Sequence, residues 1–119
     1  MRVREFMSAD PLVVDPGLTV AGALDRMRER DIWSPVVRRE GEIIGFLTER
    51  DILTGVIATE LPPQRARVED VMGRRYGVLR PEETLADAAR AMMKVKARLV
   101  VLEGGELVGV VTAADIVRA

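Results

Sequence analysis

Two short motifs of one type carry the side chains in this sequence that are best suited to binding chemistry. Thr48 and Asp51 form the first motif, and Thr112 and Asp115 form the second, 64 residues later (48 to 112). A carboxylate accepts two hydrogen bonds, and the free N–H groups at a helix start favour an anion. The same spacing is also close to a capping box, which explains either copy alone. Duplication at corresponding places indicates a binding role in addition to capping.

The two motifs belong to a repeat that covers almost the whole chain. Residues 3–7 match residues 68–72 at an offset of 65, and residues 41–45 match residues 105–109 at an offset of 64. We attribute the change of offset to one residue missing from the second hairpin turn. Residues 55–67 then form the connection between the repeats. We place the first unit at residues 1–60, the linker at 61–67 and the second unit at 68–119.

Each repeat predicts the element order β-α-β-β-α, so the fold class is α+β. A short apolar strand precedes a helix that begins at Thr19 in the first repeat and at Thr84 in the second. A hairpin with a glycine-containing turn follows, and the motif threonine opens the last helix. Because a repeat of roughly fifty residues buries little apolar surface alone, we expect the halves to pack together through their sheets about a pseudo-twofold axis.

Composition excludes several classes of function. The chain has 119 residues, a net charge of −1 and 48% hydrophobic residues, which fits one compact module without a basic surface for nucleic acid. It contains no histidine, no cysteine and no P-loop motif. We therefore expect no enzyme activity, no metal site and no catalytic cofactor. Without a secretion signal or a run of about 20 apolar residues, we expect a cytoplasmic protein with no membrane partner.

The ordered, duplicated pattern resembles tandem CBS (cystathionine-β-synthase) domains, a pair of which is called a Bateman module. The resemblance rests on two units that each end G-h-h-T-x-x-D-h-h (h is apolar) and on residues 34–37, "SPVV", in the first hairpin. The second unit departs from the pattern at Val100, where the family usually has proline. The resemblance implies two CBS units that bind AMP, ADP, ATP or a similar adenosyl ligand in clefts between them. It also implies a homodimer.

The resemblance assigns residues of this chain to two clefts. The first cleft takes Phe46, Thr48, Arg50, Asp51, Gly77, Val78, Lys96, Ala97 and Arg98. The second takes Leu12, Val13, Ile32, Trp33, Val110, Thr112, Ala114 and Asp115. In this assignment the aspartate holds the ribose hydroxyls and the helix start holds phosphate. The cations favour the first cleft for a phosphorylated ligand, whereas the second suits an uncharged adenosyl group or none.

Alternatives remain for several of these residues. Arg50, Lys96 and Arg98 are also explained as surface charges, and Trp33 is better explained as a core or dimer contact than as a base-stacking platform. Residues 74–76, "RRY", could reach a phosphate, although we favour a solvated loop. The helix that begins at residue 85 is small or apolar nearly all round, which indicates contact with a second chain or the helix propensity of alanine.

Three functions remain at this point. The first is a ligand-sensing module that regulates an unidentified protein by conformational or dimer rearrangement. The second is a dimerisation scaffold without a ligand, and the third is a binder of S-adenosylmethionine. The chain is either a stand-alone sensor or part of a longer protein, and the start at Met1 favours the former.

Overall fold

The computed structural model describes residues 1–96 and 98–119, and within them it contains six helices and seven strands. In chain order these are α1 (Val3–Phe6), β1 (Ser8–Ala9), β2 (Val13–Val14), α2 (Val20–Arg30), β3 (Val36–Arg39), β4 (Glu42–Phe46), α3 (Glu49–Thr59), α4 (Val68–Val71), β5 (Gly77–Leu79), α5 (Leu85–Val95), β6 (Leu99–Glu103), β7 (Glu106–Val111) and α6 (Ala113–Arg118). The predicted α+β class is confirmed. None of the helices in this described part is long and apolar enough to cross a membrane.

The chain forms two compact units that interleave in sequence. One unit is continuous, from Leu12 to Arg74, and the other joins Met1–Pro11 to Arg75–Ala119. The N-terminal segment therefore lies with the strands of the second repeat. A sequence repeat and a compact unit are thus different divisions of this chain, and the unit boundaries given above stay predictions.

The continuous unit contains a three-stranded sheet in the order β2-β3-β4, with β2 parallel to β3 and β3 antiparallel to β4. The β3–β4 hairpin turns at Glu40 and Gly41, which both have positive φ, as in the type I′ turn that suits twisted strands. Apolar side chains from the sheet and from α2, α3 and α4 form its core. The core residues are Leu12, Val14, Val20, Ala23, Met27, Val37, Leu47, Ile52, Ala66, Val68, Val71 and Met72.

The second unit contains a four-stranded sheet in the order β1-β7-β6-β5. Strand β1 comes from the N-terminal segment and pairs antiparallel with β7, so that Ser8 lies opposite Val110. The β6–β7 hairpin turns at Gly104 and Gly105, both with positive φ. The core residues are Val3, Leu79, Ala88, Leu99, Val101 and Val111. The short helices α1 and α4, which lie ahead of each repeat's first apolar strand, were not predicted.

The position of the missing residue was predicted wrongly. Both hairpin turns contain two residues, so neither has lost one. The helix C-caps Asp31 and Lys96 are 65 residues apart, whereas the equivalent paired strand residues Val36 and Val100 are 64 apart. The offset therefore changes between the helix end and the next strand. Leu99, and not Val100, consequently takes the place of Pro35.

The predicted connection also began too early. Gly55 lies inside α3, and a Cβ atom built on it would be 2.1 Å from Cγ1 of Val71 on α4. Glycine is needed there because the two helices approach more closely than a side chain allows. The glycine therefore marks a helix–helix contact rather than the end of the helix.

Candidate functional site

The first motif lies where β4 ends and α3 begins. The Thr48 hydroxyl oxygen accepts a hydrogen bond from the Asp51 backbone N–H at 3.1 Å. In return, Oδ2 of Asp51 accepts a hydrogen bond from the Thr48 backbone N–H at 3.0 Å. The capping box is thus confirmed, and it fixes the carboxylate at the start of α3.

Capping occupies only one oxygen of the Asp51 carboxylate. Among the residues that the structure describes, no other hydrogen bond or ion pair reaches this half-buried side chain. The backbone of Gly73 lies beside it: a Cβ atom built on Gly73 would be 3.5 Å from Oδ2 and 3.6 Å from Oδ1 of Asp51. Oδ1 is therefore available to accept hydrogen bonds from outside the protein.

The second motif has the same capping box but a different environment. The Thr112 N–H donates to Oδ2 of Asp115 at 2.9 Å, as its counterpart does in the first motif. In addition, the Ser8 hydroxyl donates to Oδ1 at 3.2 Å, and the Arg118 guanidinium donates to the same oxygen at 3.0 Å. Asp115 is only 5% exposed. Both of its oxygens are thus occupied by the protein itself.

Each motif is preceded by a glycine, Gly45 or Gly109, and the absence of a side chain there lets a second backbone segment lie against the motif. A Cβ atom on Gly45 would be 2.1 Å from the carbonyl oxygen of Gly73, and one on Gly109 would be 3.0 Å from that of Ser8. In the first motif the backbones of Phe46 and Gly73 exchange two hydrogen bonds of 2.9 Å. Gly73, which follows Met72, is thereby held beside Asp51.

The three cations of the first predicted set differ in their surroundings. Arg50 is exposed, and within the described part of the chain it makes no hydrogen bond or ion pair. Lys96 is an exposed helix C-cap with a φ of 56°. Arg98 is half-buried, and its Nε is a buried atom without a hydrogen-bond partner among the described residues. A guanidinium left in this state is suited to an anionic ligand.

Of the other residues in the first predicted set, Gly77 and Val78 lie in strand β5 and Phe46 is the last residue of β4. Gly77 donates its N–H to the carbonyl oxygen of Arg98 at 3.1 Å, which places these two residues together. Val78 is 53% exposed, so its apolar side chain is available for contact. Phe46, by contrast, is 3% exposed. Ala97 lies outside the described residues.

The residues of the second predicted set range from buried to exposed. Leu12 and Val110 are buried, and Ile32 packs against the core of the continuous unit. Val13 is half-buried in β2, and Ala114 is exposed on α6. Trp33 is 40% exposed and donates its indole N–H to Asp31 at 2.9 Å, so it is not a core residue.

Each predicted cleft draws residues from both compact units, and the two assignments stay predictions. Within single units, the structure brings together Thr48 with Asp51, Gly77 with Arg98, and Thr112 with Asp115. Sequence reasoning missed Ser8 and Gly73. The sequence contained a signal for both, because they follow Met7 and Met72 at the same offset of 65. The first repeat has a hydroxyl side chain at this position and the second has none.

The family model of the CBS domain matches residues 3–58 and again residues 68–119. The chain therefore belongs to the CBS domain family and carries two copies of the domain. A pair of CBS domains is a regulatory module, and the resemblance drawn from the sequence is confirmed.

Relatives and solved structures agree with this family. The chain is 32% identical to the A-adding tRNA nucleotidyltransferase of Aquifex aeolicus, over 100% of this chain and 14% of that protein. It spans between 14% and 60% of the length of the first curated relatives that it matches. A CBS-domain protein of Burkholderia ambifaria has a similar structure, with 25% identity, a TM-score of 0.87 and coverage of 99% of this chain and 92% of that one. CBSX2, solved in complex with AMP, has 27% identity, a TM-score of 0.75 and coverage of 98% and 93%.

Proposed function

We propose that this CBS pair is a non-catalytic sensor of adenine nucleotides and that the first motif carries its binding site. One observation supports this proposal most directly. Two copies of one motif hold an aspartate in the same capping box, but Oδ1 of Asp51 has no partner in the described part of the chain, whereas both oxygens of Asp115 are occupied. A half-buried carboxylate with unused hydrogen-bonding capacity is suited to a polar ligand.

The chemistry of the first motif fits a nucleoside phosphate. Oδ1 of Asp51 can accept hydrogen bonds from the ribose hydroxyls, because vicinal hydroxyls and a carboxylate pair well. The start of α3 and the exposed Arg50 supply positive charge for phosphate. We propose that Gly77, Val78, Lys96, Ala97 and Arg98, together with Phe46 and Thr48, complete this site. CBSX2, which was solved with AMP, supports the ligand class.

We propose no phosphorylated ligand for the second predicted set of residues. Neither oxygen of Asp115 is without a protein donor, since Ser8 and Arg118 donate to Oδ1 and the Thr112 N–H donates to Oδ2. Of the two alternatives that the sequence leaves for this set, occupation by an uncharged adenosyl group or by nothing, the geometry of Asp115 favours the second.

Regulation requires that the ligand bind two states of the module with different affinity. We propose that nucleotide binding shifts such an equilibrium and that a partner protein reads the change. A cytoplasmic homodimer is part of this proposal. Apolar side chains exposed on helices α3, α5 and α6 are candidates for the contact between chains: Leu53, Ile57, Met93 and Val117.

The test is a calorimetric titration of the purified protein with AMP, ADP, ATP, adenosine and S-adenosylmethionine. We expect saturable binding of at least one nucleotide. Arg50→Ala should weaken the nucleotides about tenfold while leaving adenosine unchanged, because a charged hydrogen bond to phosphate contributes about 1.5 kcal/mol. Arg26→Ala, which removes another exposed arginine from helix α2, is the matched control and should change neither.

The other outcomes of this titration identify the alternatives. If only S-adenosylmethionine binds, the ligand of the module is that compound and not a nucleotide. If none of the five compounds binds, the proposal fails and the module is a dimerisation scaffold without an adenosyl ligand.

A further inference from the structure

The residue that follows the repeat methionine differs between the two repeats. It is Ser8 in the first repeat and Gly73 in the second. Both lie in the same structural place, because Ser8 pairs with Val110 and Gly73 pairs with Phe46, two residues before the motif threonine in each case. The two residues can therefore be compared directly for their effect on the neighbouring aspartate.

Ser8 uses its hydroxyl to satisfy the aspartate beside it. Its Oγ lies 3.2 Å from Oδ1 and 3.3 Å from Oδ2 of Asp115. Gly73 has no side chain, and the nearest atoms that an added Cβ would meet are those of the Asp51 carboxyl group. A hydroxyl on that Cβ could reach the carboxylate, as the Ser8 hydroxyl does in the other repeat.

Backbone geometry does not require glycine at position 73. The glycines with positive φ are 41, 104 and 105, so Gly73 adopts a conformation open to other residues. A Cβ there would lie at ordinary van der Waals distance, 3.5 Å from the nearest atom. The consequence of glycine at this position is the open side of the Asp51 carboxylate.

A second position changes in the same direction. Arg118 donates to Asp115 from three residues further along α6, at 3.0 Å. The corresponding residue of α3 is Thr54, three residues beyond Asp51, and it makes no hydrogen bond to Asp51. Two independent differences thus close the aspartate of one repeat and leave the aspartate of the other open.

We propose that the residue after the repeat methionine determines which aspartate is available to a ligand: Gly73 leaves Asp51 open, and Ser8 closes Asp115. This inference rests on the proposed nucleotide site and adds a specificity-determining position to it. It assigns a single ligand per chain to a module with two equivalent motifs. It also predicts that one hydroxyl added at position 73 weakens ligand binding at Asp51.

The test compares Gly73→Ser with Gly73→Ala by calorimetric titration of whichever nucleotide binds the wild-type protein. Gly73→Ala measures the effect of the added carbon alone. Gly73→Ser should weaken binding about tenfold more than Gly73→Ala, because its hydroxyl competes for the carboxylate. Gly73→Ser combined with Thr54→Arg gives Asp51 the same neighbours that Ser8 and Arg118 provide to Asp115. This variant should weaken binding further. Ser8→Ala removes the equivalent hydroxyl of the other repeat and should leave the affinity unchanged.

Thermal unfolding without ligand supplies the second readout. The unfolding midpoints of the wild type, Gly73→Ser, Asp51→Ala and the variant that combines these two changes form a double-mutant cycle. We expect a non-additive result because the hydroxyl contacts the carboxylate. An additive cycle together with weaker binding would mean a steric effect and would overturn the inference. Equal affinities of Gly73→Ser and Gly73→Ala would also overturn it. A wild-type protein that binds none of the ligands instead overturns the proposed function, and the role of position 73 with it.

Discussion

At the scale of single residues, the two aspartates of the repeated motif differ in how many hydrogen bonds the protein gives them. Asp115 is 5% exposed and is held by Ser8 and Arg118, so its charge is balanced within its own unit. Asp51 has the same capping role but an unused oxygen beside Gly73. Local under-satisfaction of this kind is typical of binding sites rather than of cores.

This difference predicts unequal effects on stability. Both Asp51→Ala and Asp115→Ala remove a capping interaction, but the second also leaves the Ser8 hydroxyl and the Arg118 guanidinium without their acceptor. We expect Asp115→Ala to lower the free energy of unfolding by about 1 kcal/mol more than Asp51→Ala. Urea denaturation measures both values. Equal losses would show that the additional contacts of Asp115 contribute nothing.

Sequence reasoning predicts part of the site and misses the rest for a physical reason. The threonine and aspartate of each motif are recognisable because capping imposes a fixed spacing on them. The effect of Ser8 on Asp115 is not recognisable, because 107 residues separate the two and only strand pairing brings them together. Trp33 illustrates the same limit, since its partial exposure depends on tertiary packing.

At the scale of elements, threonine begins the longer helices of both repeats. Thr19, Thr48, Thr84 and Thr112 each accept a hydrogen bond from a backbone N–H in the first turn of the following helix, as predicted. The capping box of α5 also lowers the pKa of Asp87 below its ordinary value of 3.8. The hydrogen bond from the Thr84 backbone is the largest cause, followed by that with the Thr84 side chain and that from Arg90.

The lowered pKa of Asp87 predicts a pH-dependent contribution to stability. A carboxyl group with a lower pKa in the folded state stabilises that state above its unfolded pKa of 3.8, and this contribution is lost as the pH falls through the folded value. Asp87→Asn should therefore be less stable than the wild type above about pH 5, and the difference should shrink below about pH 3.5. Urea midpoints across this range measure it. A difference that grows towards acid would contradict the assigned hydrogen bonds.

Local sequence patterns predict strands and hairpin turns more reliably than they predict where the offset between the two repeats changes. The predicted turns at Gly41 and Gly105 are correct, and both turn residues of each hairpin have positive φ, as in a type I′ turn. The missing residue was misplaced because the matching turn glycines give the offset between the repeats only at their own positions. Strand register, which shows Val36 and Val100 to be equivalent, is set by hydrogen bonds between strands and cannot be obtained from the repeat alone.

At the scale of the whole molecule, each compact unit is built from segments of both repeats. Residues 1–11 join residues 75–119, where Val3 enters the core and β1 extends the sheet. The internal repeat predicts two similar halves but not this exchange of segments. Exchange of this kind depends on which sheet edge accepts the N-terminal strand, and amphipathic patterns carry no such information.

The exchange predicts that a change near the N-terminus destabilises strands far away in sequence. Val3→Ala should lower the free energy of unfolding by about 2 kcal/mol, because the side chain is fully buried. Hydrogen exchange should show a larger loss of protection in β6 and β7 than in β3 and β4. Val20→Ala, in the core of the continuous unit, is the matched control and should reverse this order. An equal effect of Val3→Ala on both sheets would contradict the assignment of the N-terminal segment.

The proposed binding site depends on contact between Asp51 and an adenine nucleotide. Calorimetric titration of AMP, ADP and ATP into the wild type, Asp51→Ala and Asp115→Ala tests this dependence most directly, with thermal unfolding to verify that each variant is folded. We predict saturable binding of at least one nucleotide, which Asp51→Ala abolishes and a folded Asp115→Ala retains. Binding that survives Asp51→Ala and is lost in folded Asp115→Ala would contradict it and transfer the site to the second motif.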